Sequence, residues 1–79
     1  MNTLQEFLFA IMEIREAFSR NLRMLRQAKG LSQEELAHRA EIDRTYISSL
    51  ERNVYGPSIE VLDRLAKALN VDPADLLKR

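Results

Sequence analysis

Apolar residues recur at spacings of three and four from Phe7 through Ile11, Ile14, Phe18 and Leu22 to Leu25. That period is one face of an α-helix, and no glycine or proline interrupts the chain before Gly30. Thr3, with Glu6 three residues on, has the form of a capping box, in which each side chain accepts from the other residue's backbone N–H. The pattern predicts one long helix from Thr3, or two nearly collinear ones with a break near residues 19–21. Gly30 closes it, at a left-handed position where a missing Cβ is useful. Leu8, Phe9 and Met12 fall outside the stripe. A helix that is apolar nearly all round needs cover on more than one side. That cover comes from the domain's own core or from a second subunit, and the subunit is the preferred reading.

Further along, Ser32-Gln-Glu-Glu35 is another capping box, opening a helix with Leu36, Ala37 and Ala40 turned inward. Asp43 is placed to cap the next helix, with Ile47 and Leu50 inward. Residues 53–57, Asn-Val-Tyr-Gly-Pro, form a turn rich in helix breakers. Ser58 caps a fourth helix with Ile59, Leu62, Leu65, Ala66 and Leu69 on its inner face. Asp72-Pro73 opens a short fifth helix, since proline suits a first helical position. The expectation is an all-α, compact, five-helix domain over residues 1–79. It comprises an N-terminal extension (1–19), a bihelical unit (32–52) and an end available for dimerisation (69–79).

Composition narrows the function more by exclusion than by signal. Seventy-nine residues without cysteine make one domain with no disulfide framework and no thiolate metal site. A single histidine, His38, is expected to face solvent, and no metal or cofactor is expected. The apolar run from Phe7 to Met12 is too short to cross a bilayer and lacks a basic start, so a cytoplasmic protein is expected. Lysine plus arginine equals aspartate plus glutamate, a formal net charge of zero. A neutral total predicts weak non-specific attraction to nucleic acid and leaves specific binding open. Acids gather at helix starts (Glu34, Glu35, Asp72, Asp75), where they favour the helix dipole. Bases recur at Arg20, Arg23, Arg26, Arg39, Arg44 and Arg52.

Between Ser32 and Arg52 two short helices are joined by a tight turn, with small or apolar residues where they must touch. Ala37 sits at their closest approach, Ile42 plugs the turn, and Ile47 and Leu50 anchor the second helix. This spacing resembles the phage repressor and Cro-type helix-turn-helix family. The resemblance runs from about Arg20 to Leu77, through LRMLRQAKGLSQEELA, the pair Glu51–Arg52, and PSIEVLDRLAKALNV. Within it, DRTYISSLERN looks like the recognition helix of the controller proteins of bacterial restriction–modification systems. Those are small dimeric regulators that bind operators upstream of their own gene and the endonuclease gene. The family often carries glycine where this chain has Glu41, so Glu41 must bear a left-handed conformation or the turn must adjust. A left-handed non-glycine residue costs on the order of 1 kcal/mol.

In such a motif the second helix presents its N-terminal half to base edges and the first crosses the phosphate backbone. Arg44 can reach a guanine edge with two hydrogen bonds, and Thr45 and Ser48 are short donors and acceptors beside it. Tyr46 either offers its ring to a thymine methyl or packs half-buried. Ser49, Arg52 and Asn53 suit backbone contacts at the groove's flank. Ser32 and Gln33 open the first helix, where free N–H groups and the helix dipole suit a phosphate. The resemblance places Glu51 opposite Arg26 as a structural ion pair.

One recognition helix reads few base pairs, so a symmetric dimer on an approximately palindromic double-stranded DNA operator is expected. The resemblance puts its interface at Leu69, Val71, Leu76 and Leu77, with Leu8 and Met12 of the long first helix enlarging it. RNA polymerase is a possible further partner through Glu34, Glu35 and Glu41, whose simpler role is solubility. No small-molecule ligand is expected. Three other readings stay open. They are a general repressor of the same fold, an antitoxin-type autoregulator that uses the N-terminal helix on a toxin, and a protein-interaction module that never meets DNA. No nucleophile–base pair, phosphate loop or metal cluster supports an enzyme.

Overall fold

Every helix starts at a side-chain cap. The Ser32 hydroxyl accepts from the Glu35 N–H at 3.0 Å, and the Glu35 carboxylate accepts from the Ser32 N–H at 2.9 Å. Asp43 accepts from the Thr45 N–H at 2.7 Å, and Ser58 from the Val61 N–H at 3.1 Å. The first helix begins one residue earlier than its sequence signal. Asn2, not Thr3, is the cap, forming a reciprocal box with Gln5 at 2.8 and 3.2 Å. Asparagine ranks at least as high as threonine in that role, and the earlier start adds Thr3 to the helix.

The computed structural model describes residues 2–79; Met1, part of the expected 1–19 extension, lies outside them. The described chain forms α1 (Thr3–Ala28), α2 (Gln33–Ala40), α3 (Arg44–Glu51), α4 (Ile59–Leu69) and a single 3-10 turn at Pro73–Leu76. The class is all-α, with no strand among the described residues. Of the two readings for the N-terminal stretch, the unbroken helix is correct: α1 runs through residues 19–21. The side chains there are tied down without breaking the helix. Ser19 donates to the Glu16 carbonyl at 3.0 Å. Asn21 Nδ2 donates to the carbonyls of Leu76 and Lys78, at 3.1 and 2.7 Å.

Those last two bonds hold the C-terminal segment, where the helix count is corrected. The expected fifth α-helix is a four-residue turn. Asn21 accordingly folds the C-terminus back onto α1.

The core gathers Phe18 and Leu22 from α1, Leu36 from α2, and Ile47 and Leu50 from α3. Leu65 and Leu69 of α4 and Leu76 of the C-terminal turn complete it. Two residues expected at a dimer interface therefore lie elsewhere. Leu69 is 1 % exposed and Leu76 0 %, both enclosed by this chain's own helices. Val71 and Leu77 remain half-buried against that core. Ile59, expected on the inner face of α4, is 82 % exposed; it is the first residue of the helix, and the apolar face takes hold only from Val61 and Leu62.

Gly30 adopts φ +70°, as its place after α1 requires. Glu41 ends α2 at φ 56°, ψ 48°, so it carries the left-handed conformation itself. The molecule measures 43 × 22 × 20 Å. At 1.5 Å per residue a helix the length of α1 spans about 39 Å, so α1 runs the full long axis. Its buried residues are confined to Ala17–Leu22.

Candidate nucleic-acid interface

The α2–α3 unit is held from behind. The Ile42 N–H donates to the Ala37 carbonyl at 2.9 Å and closes the turn. Leu36, Ala37, Ala40, Ile47 and Leu50 are all buried between the two helices and α4. With Ile47 and Leu50 inward, the 3.6-residue period turns Thr45 and Ser48 away from the core. Arg44, Thr45 and Arg52 are exposed and Ser48 is half-buried. Arg44 also borders a shallow hollow with Arg26, Ser32, Gln33 and Glu34, where the starts of α2 and α3 converge.

Not every residue expected on this face is there. Ser49 is buried at 8 % and its hydroxyl lies 3.5 Å from Arg52 Nη2. It sits on the inner side of α3, one residue round from Ser48, so it cannot serve as a groove-flank contact. Gln33 is half-buried, and its amide Nε2 donates to Glu51 at 3.2 Å. Ser32 is exposed, with its hydroxyl already accepting from α2. Tyr46 takes the packing alternative. It is half-buried, with its ring 5.5 Å from that of Tyr55 at a 38° tilt, a geometry favourable for aromatic pairs. Asn53 follows α3 at φ 59°, half-buried. His38 is exposed, as expected.

Beneath the face lies a charged cluster. The Glu51 side chain is 0 % exposed. Arg26 grips it with two donors, Nε to Oε2 at 2.6 Å and Nη2 to Oε1 at 3.0 Å. Arg26 Nη1 donates to the Leu31 carbonyl at 2.8 Å. Arg23 reaches Oε1 at 3.4 Å from a half-exposed position. Burial pushes the Glu51 carboxyl up, but the hydrogen bonds from Arg26, Gln33 and Arg23 and the Arg26 charge outweigh it. The net effect holds Glu51 below its ordinary value. The same pairing raises Arg26. The expected Arg26–Glu51 pair is therefore the centre of a four-residue cluster joining α1, α2 and α3.

Arg23 could have been added from the sequence, since it lies three residues before Arg26 on the same face of a helix. Gln33, the Tyr46–Tyr55 pair and the ties from Asn21 have no local signal. Their partners come together only in the folded chain. Among the described residues no group of histidine, cysteine, aspartate and glutamate could hold a metal ion, and no helix is long and apolar enough to cross a membrane.

A family model described as helix-turn-helix matches residues 22–76. The chain belongs to the helix-turn-helix family. Control protein C.BamHI of Bacillus amyloliquefaciens is 42 % identical over 65 residues, covering 81 % of this chain and 80 % of that one. Control protein C.SmaI of Serratia marcescens is 43 % identical over 68 residues, covering 86 % and 81 %. The crystal structure of the restriction-modification controller protein C.AhdI from Aeromonas hydrophila superposes with a TM-score of 0.76 at 42 % identity. That match covers 78 % of this chain and 94 % of that one. Members of this helix-turn-helix family are DNA-binding transcription regulators and not enzymes. The family model begins at Leu22, within α1.

Proposed function

We propose that this regulator binds an approximately palindromic operator as a symmetric dimer and serves as a controller protein of a restriction–modification system. The observation that carries the DNA contact is the split character of α3. Ile47 and Leu50 are fully buried, while Thr45 on the opposite side and Arg44, at the exposed first position of the helix, stand free in solvent. A helix clamped so firmly holds its outward side chains steady enough to read base edges. Arg44, at the first position of α3, reads a guanine edge. Thr45 and Ser48 line the groove beside it. Arg52 and Asn53 contact the backbone at one flank, and the start of α2, with Ser32 and the free side of Gln33, contacts it at the other. Two such helices one DNA turn apart, roughly 34 Å, read a palindrome. The controller assignment draws on the two control proteins and the controller structure just described. The dimer blocks or assists RNA polymerase according to where the operator lies.

The test is selection of operators from random duplex DNA, followed by gel shift with the wild type and Arg44→Ala. A bidentate arginine–guanine contact discriminates by about 1–3 kcal/mol. Arg44→Ala is therefore expected to lose roughly 10- to 100-fold in affinity for the selected site, with an unchanged thermal midpoint. An enriched sequence bound equally well by Arg44→Ala would dismiss this placement of α3. Failure to enrich any sequence would favour a module that works through protein contacts alone.

A further inference from the structure

We propose that Arg15 takes a backbone phosphate of the bound DNA, in a cleft just beyond the C-terminal end of α3. This rests on the DNA reading above and extends its contact surface to a residue of α1 that precedes the matched helix-turn-helix region. The observation that points there is an arginine stationed without a partner. Arg15 is half-buried, its Nε is enclosed, and no acceptor among the described residues reaches that nitrogen. Nor does any carboxylate among them form an ion pair with it. A buried donor left without an acceptor is uncommon and destabilising. Here it leaves a positive charge that the chain does not neutralise.

Packing holds that charge in place. A Cβ on Gly56 would lie 3.7 Å from Arg15 Nε, 3.8 Å from Cγ and 3.9 Å from Cδ. The side chain therefore rests in van der Waals contact on the loop between α3 and α4. With Met12, Glu16 and Asn53 it lines an open cleft of about 210 Å³, room for a phosphate group. Asn53, just past α3 at φ 59°, borders the cleft from the loop, and its neighbour Arg52 is exposed. Those are the two residues already assigned to the DNA backbone at this flank of the groove. The guanidinium stands where that strand passes.

The geometry of α1 aims Arg15 at this place. Arg15 and Arg26 are eleven residues apart. At 100° and 1.5 Å per residue they lie about 20° apart around the helix and about 16 Å apart along it. Arg26 faces α3, since it grips Glu51. Arg15 thus lies on the same side of α1, about three turns nearer its start, beside the chain that follows α3. The bases on this side differ in the charge they can offer. Arg26 is committed to Glu51 and Arg23 shares it, whereas Arg15 is free to meet an anion. A guanidinium is a planar fork that suits two phosphate oxygens at once. Glu16 is the one acid bordering the cleft. It is exposed, about 100° round α1 from Arg15, and water and salt screen it.

The test compares the wild type with variants at Arg15 by gel shift on the selected operator over a range of salt. Each phosphate neutralised contributes about 0.9 to the slope of log affinity against log salt. Arg15→Gln loses one contact per protomer and two per dimer, so its slope is expected to be smaller by about 1.8. Between about 50 and 200 mM salt the wild type should weaken roughly twelvefold more than the variant. The loss should be similar on the operator and on random duplex, whereas Arg44→Ala mainly lowers binding to the operator. Arg15→Met, which keeps an apolar stem over Gly56, is expected to behave as Arg15→Gln does. Arg15→Lys is expected to restore the slope, a rescue that depends on charge and not on packing. Melting midpoints of Arg15→Gln and Arg15→Met should be unchanged or higher, since Nε gives up no hydrogen bond of the folded chain. A methylphosphonate scan of the operator reads the same contact from the DNA side. Neutralising one flanking phosphate in each half-site should weaken the wild type and leave Arg15→Gln unaffected.

A wild-type slope in both Arg15→Gln and Arg15→Met would overturn the assignment. So would a scan in which the wild type and Arg15→Gln respond to the same phosphates. Either result leaves the DNA reading standing as long as Arg44→Ala loses affinity for the operator. A wild type that selects no duplex would remove both.

Discussion

Glu51→Ala removes the centre of the cluster under the recognition helix, and its cost follows from the geometry. The carboxylate is fully enclosed and accepts from Arg26, Arg23 and Gln33. Deleting it leaves the charge of Arg26, whose side chain is 11 % exposed, with the Leu31 carbonyl as its remaining hydrogen-bond partner. Removing one partner of a buried pair costs about 3–5 kcal/mol, because the remaining charge is left desolvated without compensation. A chain of this size has roughly 4–12 kcal/mol of stability in total, at about 0.05–0.15 kcal/mol per residue. The variant is therefore expected to be partly or largely unfolded at 37 °C, with a thermal midpoint lowered by well over 10 °C. Arg23→Ala supplies the contrast. Its side chain is 53 % exposed and its contact is long, and an exposed pair contributes no more than about 1 kcal/mol. Melting of both variants, followed by circular dichroism at 222 nm, tests the hierarchy. Loss of DNA binding in Glu51→Ala should follow its unfolding and recover at temperatures where the helices persist. A Glu51→Ala midpoint within about 5 °C of wild type would show the cluster to be structurally dispensable.

Other outcomes follow from the same structure. Glu41→Gly relieves a left-handed residue whose side chain is exposed, and keeps the backbone carbonyl that Arg64 Nη1 approaches at 3.3 Å. It should raise stability by about 1 kcal/mol, seen as a higher urea midpoint with an unchanged slope. Leu76→Ala should cost about 2–5 kcal/mol as a core truncation while the folded fraction stays dimeric by sedimentation; dissociation without destabilisation would return Leu76 to an interface. Acid should weaken the fold, since Glu51, Glu35 and Asp75 all have carboxyl groups held below their ordinary values. A depressed folded pKa gives stability that is present above the unfolded value and is lost as pH falls through the folded one. For Glu51 the loss begins below its ordinary 4.5. Glu51→Gln should melt lower than wild type at pH 7, with a shallower decline in acid; parallel acid limbs would exclude Glu51 as a source of the dependence.

The sequence by itself determined α2, α3 and α4, their caps, and the inward side of α3 at Ile47 and Leu50. These depend on short-range chemistry: apolar period, hydroxyl and carboxylate caps, glycine at a left-handed position. The signals at Ser32, Asp43, Ser58 and Gly30 are all local, and all appear where the pattern puts them. The outward placement of Thr45 follows from the inward placement of Ile47 and Leu50, and Arg44 is exposed because it opens the helix. At the start of α1 two competent caps stand side by side, and Asn2 takes the role in place of Thr3.

Only tertiary structure decided which apolar residues the chain covers for itself. Leu76 and Leu8 are both leucines on amphipathic segments, and nothing nearby in sequence distinguishes them. Leu76 is buried because Asn21, fifty-five positions earlier, holds the C-terminal turn against α1. Leu8 is exposed because α1 outruns the body it packs on. Gln33 and Ser49 differ from Ser32 and Ser48 in the same way, through contacts with Glu51 and Arg52. Burial depends on what the folded chain brings opposite a residue, and hydrophobic period alone does not record it.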